Sequence, residues 1–116
     1  MYLADHPASA LLEVLVHMEV DREDWPDSYR LLAIEIPGHV GFDDAPELTA
    51  GWRIDADETQ SIGDQWLDRG ATALLRVPSA IVPYTWNWLL NPAHPDSAQA
   101  RVAEIVRSAF DPRLFG

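Results

Sequence analysis

Two short apolar segments in the middle of the chain most constrain its fold. Residues 73–77 form a short apolar run followed directly by Pro78, which is the pattern of a buried strand that delivers Ser79 at its exit. Residues 85–90 form a second candidate strand, and the prolines in the segment 91–96 then require a turn. The sequence therefore predicts at least two β-strands at its centre, which excludes a purely helical bundle.

Two other segments carry the signals of α-helices. Asp5 can cap a first helix, which continues to about Glu19, and Asp57 can cap a second helix over residues 58–69 that Gly70 ends. The apolar residues repeat at roughly helical spacing, so each helix is predicted to bury one face. The predicted inward residues are Leu11, Leu12, Leu15, Val16 and Met18 in the first helix, and Ile62, Trp66 and Leu67 in the second.

The remaining segments complete an α+β pattern in a single domain, residues 1–116. Residues 29–36 alternate loosely and are rich in Leu and Ile, so they are predicted to form a strand that Pro37 and Gly38 end. The segment from there to Gly51 is rich in acids and is predicted to be a long surface loop. For residues 100–109 the apolar spacing alone favours a helix.

The charge of the chain limits its partners. There are 19 acidic residues against 8 basic ones, a formal net charge of −11, and all the basic residues are Arg. Such a surface repels a phosphate backbone, so direct binding to nucleic acid is not expected, whereas a basic partner protein would be attracted. The alternative is that the acidity only maintains solubility.

The sequence lacks the patterns of disulfide frameworks, metal sites, membrane spans and signal peptides. It has no cysteine, so neither a disulfide framework nor a thiolate zinc site is expected, and its 4 histidines have no metal-ligand spacing. It has no apolar run of about 18 residues and no signal-peptide pattern at its start. We therefore predict a cytoplasmic protein without a metal site or a membrane span.

Four blocks of sequence resemble, in order and spacing, the RES family, which comprises toxins of bacterial toxin-antitoxin pairs named for an Arg, a Glu and a Ser. The resemblance covers nearly the whole chain. The blocks are Tyr2-Leu3-Ala4 with Ala10-Leu11-Leu12-Glu13-Val14-Leu15-Val16-His17, Thr59-Gln60 with Gly63-Asp64-Gln65-Trp66-Leu67, Leu75 through Asp96, and Phe110-Asp111-Pro112-Arg113-Leu114-Phe115.

The resemblance implies both a fold and a chemistry. It implies a fold similar to that of the ADP-ribosyltransferases, with a mixed small sheet, flanking helices and an extended strand over residues 100–109, which we prefer to the helix. It also implies NAD+ as substrate, with degradation by a glycohydrolase or phosphorylase reaction or transfer of ADP-ribose, and growth arrest. The implied partner is an Xre-type antitoxin protein.

The resemblance assigns roles to three residues. Glu13 matches the family glutamate and would stabilise positive charge at the anomeric carbon of the ribose, Ser79 would contact NAD+, and Tyr2 matches an active-site tyrosine. Each has a plainer alternative: Glu13 pairs with His17 or Ser9 on a helix surface, Ser79 forms a turn, and Tyr2 is frayed at the chain end.

The family arginine lies upstream of the tyrosine, and this chain opens at Met1 with no residue to match it, so we expect an N-terminally shortened domain. Arg76 or Arg53 would be the substitutes for binding a pyrophosphate, although Arg76 could equally form a structural ion pair.

The alternative function is an inactive domain that binds an antitoxin or forms oligomers. A homodimer fits the aromatic content, which includes five Trp.

Overall fold

A mixed four-stranded sheet organises the protein. The computed structural model describes residues 1–18, 21–54 and 56–115. The strands are β1 (Tyr2–Ala4), β2 (Ser28–Glu35), β3 (Phe42–Asp44), β4 (Leu74–Pro78), β5 (Trp86–Leu90) and β6 (Arg101–Ala109), and the helices are α1 (Pro7–His17) and α2 (Ala56–Arg69). The main sheet has the order β1-β5-β4-β3, in which β3 and β4 are parallel and the other pairs are antiparallel. The α+β prediction with a mixed sheet is confirmed.

The remaining two strands, β2 and β6, form a separate antiparallel ribbon with a register shift between Ala33 and Ile34. Residues 101–109 are therefore a strand, and the helical interpretation of their spacing is wrong. The ribbon exposes apolar side chains, among them Leu32, Val102 and Ile105. At its far end Tyr29 packs against Phe110, whose ring also meets Trp25.

The predicted loop before Gly51 contains β3, which was missed. This strand has three residues and pairs with β4 through Phe42, opposite Leu74. A three-residue strand is too short to show an alternating pattern, because the period of two needs several repeats to be visible. Only the tertiary contact with β4 defines it.

The first helix begins one residue later than predicted and has a different cap. His6 is the N-cap, and its Nδ1 accepts a hydrogen bond from the backbone N–H of Ala8 at 3.1 Å. Asp5 instead accepts a hydrogen bond from the indole Nε1 of Trp88 at 2.7 Å, which ties the start of α1 to β5. The helix ends at His17, and Glu19 lies outside the described residues. Two of the predicted inward residues are exposed, Leu12 and Val16.

The second helix buries one face through Trp66, whose Nε1 donates to the hydroxyl of Thr72 at 3.0 Å. Leu67 is exposed, because it lies one position, about 100° of helical rotation, beyond Trp66. Asp57 lies in the first turn rather than at the cap. Gly70 ends the helix as predicted, with a positive φ of 61°. No helix of the described residues is long and apolar enough to cross a membrane.

The two faces of the main sheet carry different kinds of side chain. Side chains of consecutive strand residues point to opposite sides, so Trp86 and Trp88 lie on one face of β5 and Asn87 on the other. The first face meets a core cluster that includes Leu74 and Leu90. The second face is where Tyr2 and Glu13 contact Asn87, and it holds the polar cluster described next.

Candidate functional site

Four polar side chains, three from secondary-structure elements and one from the turn after β4, meet on the second face of the sheet. Tyr2 comes from β1, Glu13 from α1, Asn87 from β5, and Ser79 from the residue that follows β4. The strands β1, β5 and β4 are neighbours in the sheet, and α1 follows β1 after a two-residue connection. This topology brings together residues that are up to 85 positions apart in the chain.

Asn87 is the centre of the cluster. It is fully buried, with 0% exposure. Its Nδ2 donates to the phenol oxygen of Tyr2 at 2.6 Å and to Oε1 of Glu13 at 3.0 Å, so both hydrogens of the amide are used. Its Oδ1 is buried and makes no hydrogen bond within the described part of the chain, which costs roughly 1–3 kcal/mol of desolvation.

The two oxygens of Glu13 have different surroundings. Oε1 faces the sheet, where Asn87 donates to it and the hydroxyl of Ser79 lies 3.5 Å away. Oε2 lies 3.5 Å from Nε2 of His17, one helical turn further along α1, and the His17 side chain is exposed. The carboxylate is therefore held against the sheet through Oε1, and its Oε2 lies beside the exposed imidazole of His17.

Ser79 forms the turn that was one of its two roles considered from the sequence, and it also contacts Glu13. Its side chain is buried, and Oγ accepts hydrogen bonds from the backbone N–H groups of Ile81 at 3.1 Å and Val82 at 3.2 Å. Its own N–H donates to the carbonyl of Thr85 at 2.8 Å. The hydroxyl thus fixes the turn between β4 and β5 and contacts Glu13 at the same time.

Tyr2 is ordered by strand pairing and is not frayed. It lies opposite Leu89 in β5, and the terminal amino group of Met1 donates to the carbonyl of Leu90 at 2.9 Å. Burial raises the pKa of Tyr2, the negative charge of Glu13 raises it further, and the hydrogen bond from Asn87 lowers it. The phenol therefore keeps its proton at neutral pH, and its O–H remains available as a donor.

An open cleft of about 430 Å³ lies over this cluster and is lined by Tyr2, Glu13, Val14 and His17. This volume falls within the range of about 300–1,000 Å³ that small-molecule sites occupy. The cleft thus presents one carboxylate, one phenol and one imidazole to a ligand. Within the residues that the structure describes, no group of three or more His, Asp or Glu side chains is placed to hold a metal ion.

The model of the RES domain family matches residues 1–111 of this chain. The chain belongs to the RES domain family. Among curated relatives, it is 44% identical over 115 residues to "Toxin Res" of Pseudomonas putida, covering 99% of this chain and 79% of the relative. It is 36% identical to the "Prs ADP-ribosylating toxin" of a Sphingobium species, covering 99% and 74%. It is also 34% identical to "Toxin Res" of Yersinia enterocolitica, covering 98% and 76%.

The structure does not bring Arg76 into the cluster of this RES domain. Arg76 lies on the opposite face of the sheet, where its Nε pairs with Oδ1 of Asp44 at 2.6 Å and its guanidinium lies 4.5 Å from the ring centroid of Trp86. The structural ion pair is therefore the role that the contacts support. Arg53 stacks on Trp52 in the turn before α2 and makes no described contact with the cluster.

Asn87 is the one residue of the four-residue cluster that the sequence did not single out. A signal was present, because an amide that interrupts an apolar strand between two tryptophans is rarely buried without a polar partner. The nearby segment 91–96 is a structural turn, in which Oδ1 of Asn91 accepts from the N–H of Ala93 and Nδ1 of His94 accepts from the N–H of Asp96.

Proposed function

We propose that this RES domain is a bacterial toxin that cleaves the bond between nicotinamide and ribose in NAD+. The observation that carries the proposal is the Glu13 carboxylate, which Asn87 holds at the floor of an open cleft beside Tyr2 and His17. The names of the relatives support the toxin assignment, and one of them is named as an ADP-ribosylating toxin.

Glu13 would act electrostatically. As the bond from the anomeric carbon to the pyridinium nitrogen breaks, the electron pair leaves with nicotinamide and positive charge develops on the ribose. A carboxylate near that carbon stabilises the charge, and a hydrogen bond from the ribose hydroxyl to Oε2 would orient the sugar. In hydrolysis, water then bonds to the anomeric carbon through its oxygen and releases one proton.

The neighbouring residues would bind and orient the substrate. The Tyr2 ring can stack on nicotinamide, or its O–H can donate to the carboxamide oxygen. The Ser79 hydroxyl, which already holds the turn, would act chiefly through its contact with Glu13. Arg76 has no place in this arrangement, because it lies on the other face of the sheet.

The acceptor of ADP-ribose would be water, phosphate or a protein side chain, and the cleft is open enough to admit each of them. In the cell, consumption of cytoplasmic NAD+ or modification of a target protein would arrest growth. An Xre-type antitoxin is the proposed partner, and it would neutralise the toxin by covering the cleft.

The test measures NAD+ consumption by the purified protein with and without inorganic phosphate. Glu13→Gln keeps the shape of the side chain and removes its charge, so we expect it to lower the rate by about 100-fold or more. Glu104→Gln, at an exposed position on β6, is the matched control and should retain the rate.

Inorganic phosphate that speeds NAD+ loss and yields a phosphorylated ADP-ribose would identify a phosphorylase. If the folded protein leaves NAD+ intact in every condition, the enzymatic proposal is wrong. The domain would then act as a binding module for an antitoxin.

A further inference from the structure

One buried amide joins the two side chains that face the cleft. Asn87 donates one hydrogen to Tyr2 and the other to Glu13, although these residues belong to different elements. We propose that Asn87 is the positioning residue of this site, which sets the orientation of both Glu13 and Tyr2 without touching the substrate. Its effect on catalysis rests on the proposed function, whereas its effect on the two side chains does not.

At Glu13, Asn87 determines which carboxylate oxygen meets the ligand. The hydrogen bond at 3.0 Å fixes Oε1 on the sheet, and the Ser79 hydroxyl approaches the same oxygen. Oε2 therefore lies on the side of His17, which lines the cleft together with Glu13. A ribose hydroxyl that enters the cleft therefore meets a carboxylate with a fixed plane, whose Oε2 lies on the side of His17, and this favours one orientation of the sugar.

At Tyr2, Asn87 determines the direction of hydrogen bonding. The phenol oxygen accepts from Nδ2 at 2.6 Å, and within the part of the chain that the structure describes its O–H has no acceptor. That O–H can then donate into the cleft. Burial raises the pKa of Tyr2 above its ordinary value of 10.0, so this donor is present at neutral pH and well above it.

The unpartnered Oδ1 of Asn87 indicates that the site determines the orientation of the amide. Rotating the amide by 180° would place Oδ1 against the carboxylate of Glu13, where two acceptors repel, and would draw the Tyr2 O–H inward. In the observed orientation Tyr2 and Glu13 each accept a hydrogen bond from the amide, and among the described residues the buried Oδ1 has no partner. The unpaired acceptor costs stability, whereas both donors of the same amide serve Glu13 and Tyr2.

The kinetic test uses Asn87→Leu, which has a similar size and no donor. We expect kcat for NAD+ cleavage to fall about 100-fold, while KM changes by less than about threefold. Because Asn87 is proposed to act through Glu13 and Tyr2 together, adding Asn87→Leu to a variant that carries both Glu13→Gln and Tyr2→Phe should cause little further loss. Independent losses that multiply, or an unchanged kcat in the single variant, would overturn the proposal.

A second buried asparagine provides the matched control. Asn91→Ala removes a buried amide whose Oδ1 accepts from the N–H of Ala93 within its own turn, so the rate per folded molecule should be retained. Asn87→Ser, which is smaller and keeps one donor, serves if the leucine variant does not fold. We expect it to show an intermediate loss.

The pKa of Tyr2 can be measured without any NAD+ cleavage, so it tests the positioning role of Asn87 independently of the proposed function. The pKa of Tyr2 can be followed by NMR with tyrosine labelled with ¹³C at Cζ, with Tyr2→Phe to assign the signal. Asn87→Leu should raise the pKa of Tyr2, since the hydrogen bond from Asn87 lowers it, and Glu13→Gln should lower it. An unmoved pKa in folded Asn87→Leu protein refutes the positioning role, whereas a wild type that spares NAD+ refutes only the chemistry.

Discussion

At the scale of single residues, Tyr2 and Glu13 share one hydrogen-bond donor group, the side-chain amide of Asn87. The phenol of Tyr2 and the carboxylate of Glu13 both depend on Nδ2 of Asn87, because that nitrogen is the donor close enough to reach both of them. A residue with a single donor could satisfy only one of the two. The arrangement therefore needs a group with two donors at position 87, which the amide of asparagine provides.

The raised pKa of Tyr2 makes stability depend on pH in the alkaline range. The folded-state pKa lies above the ordinary value of 10.0, so the unfolded state loses this proton first as the pH rises. The contribution is fully present below about pH 10 and is lost as the pH rises through the folded-state pKa. Urea unfolding from pH 8 to 11 should show a steeper loss in wild type than in Tyr2→Phe, and parallel curves would contradict this.

At the scale of elements, helix ends and short strands are set by local conformation. Gly70 adopts a φ of 61° at the end of α2, and its N–H donates to the carbonyl of Trp66 at 3.1 Å. This left-handed conformation suits glycine because a side chain there is strained. The cap in turn places Thr72 where its hydroxyl accepts from Trp66.

We expect Gly70→Ala to lower the free energy of unfolding by about 1 kcal/mol, because alanine disfavours a positive φ. The strain is conformational, since the nearest atom to an added Cβ is the carbonyl oxygen of Leu67 at 3.9 Å. Gly38→Ala is the matched control, with open space around the added Cβ and no positive φ. Equal urea midpoints for the two variants would contradict the expectation.

At the scale of the whole molecule, the two sheets differ in how they are supported. The main sheet has the core cluster on one face and the polar cluster on the other. The ribbon of β2 and β6 consists of two strands with exposed apolar side chains. A two-stranded ribbon is marginal in water unless something else supports it.

Hydrogen exchange should therefore distinguish the two sheets. We expect the amides of β2 and β6 to exchange faster than those of β4 and β5, because opening the ribbon breaks fewer buried contacts. Mass spectrometry of peptides after timed exchange would measure the difference. Protection in β6 equal to that in β5 would mean that the ribbon opens only with the whole domain.

Local chemistry in the sequence was enough to determine several elements and the family. The proline-bounded runs specified β4 and β5, and Gly70 specified the end of α2, since each signal acts within a few residues. The blocks around Glu13 and Ser79 identified the RES family. The strand at 101–109 needed the family resemblance, because its own apolar spacing is helical in period.

Tertiary structure decided the features that depend on distant contacts. It placed Asn87 between Tyr2 and Glu13, since strand order and alternation determine which side chains share a face. The same alternation placed Arg76, adjacent in sequence to the strand exit at Ser79, on the opposite face with Asp44 and Trp86. Alternation within one strand separates neighbouring side chains, but the pairing with distant strands decides which face holds Tyr2 and Glu13, and for that reason the site was only partly predictable.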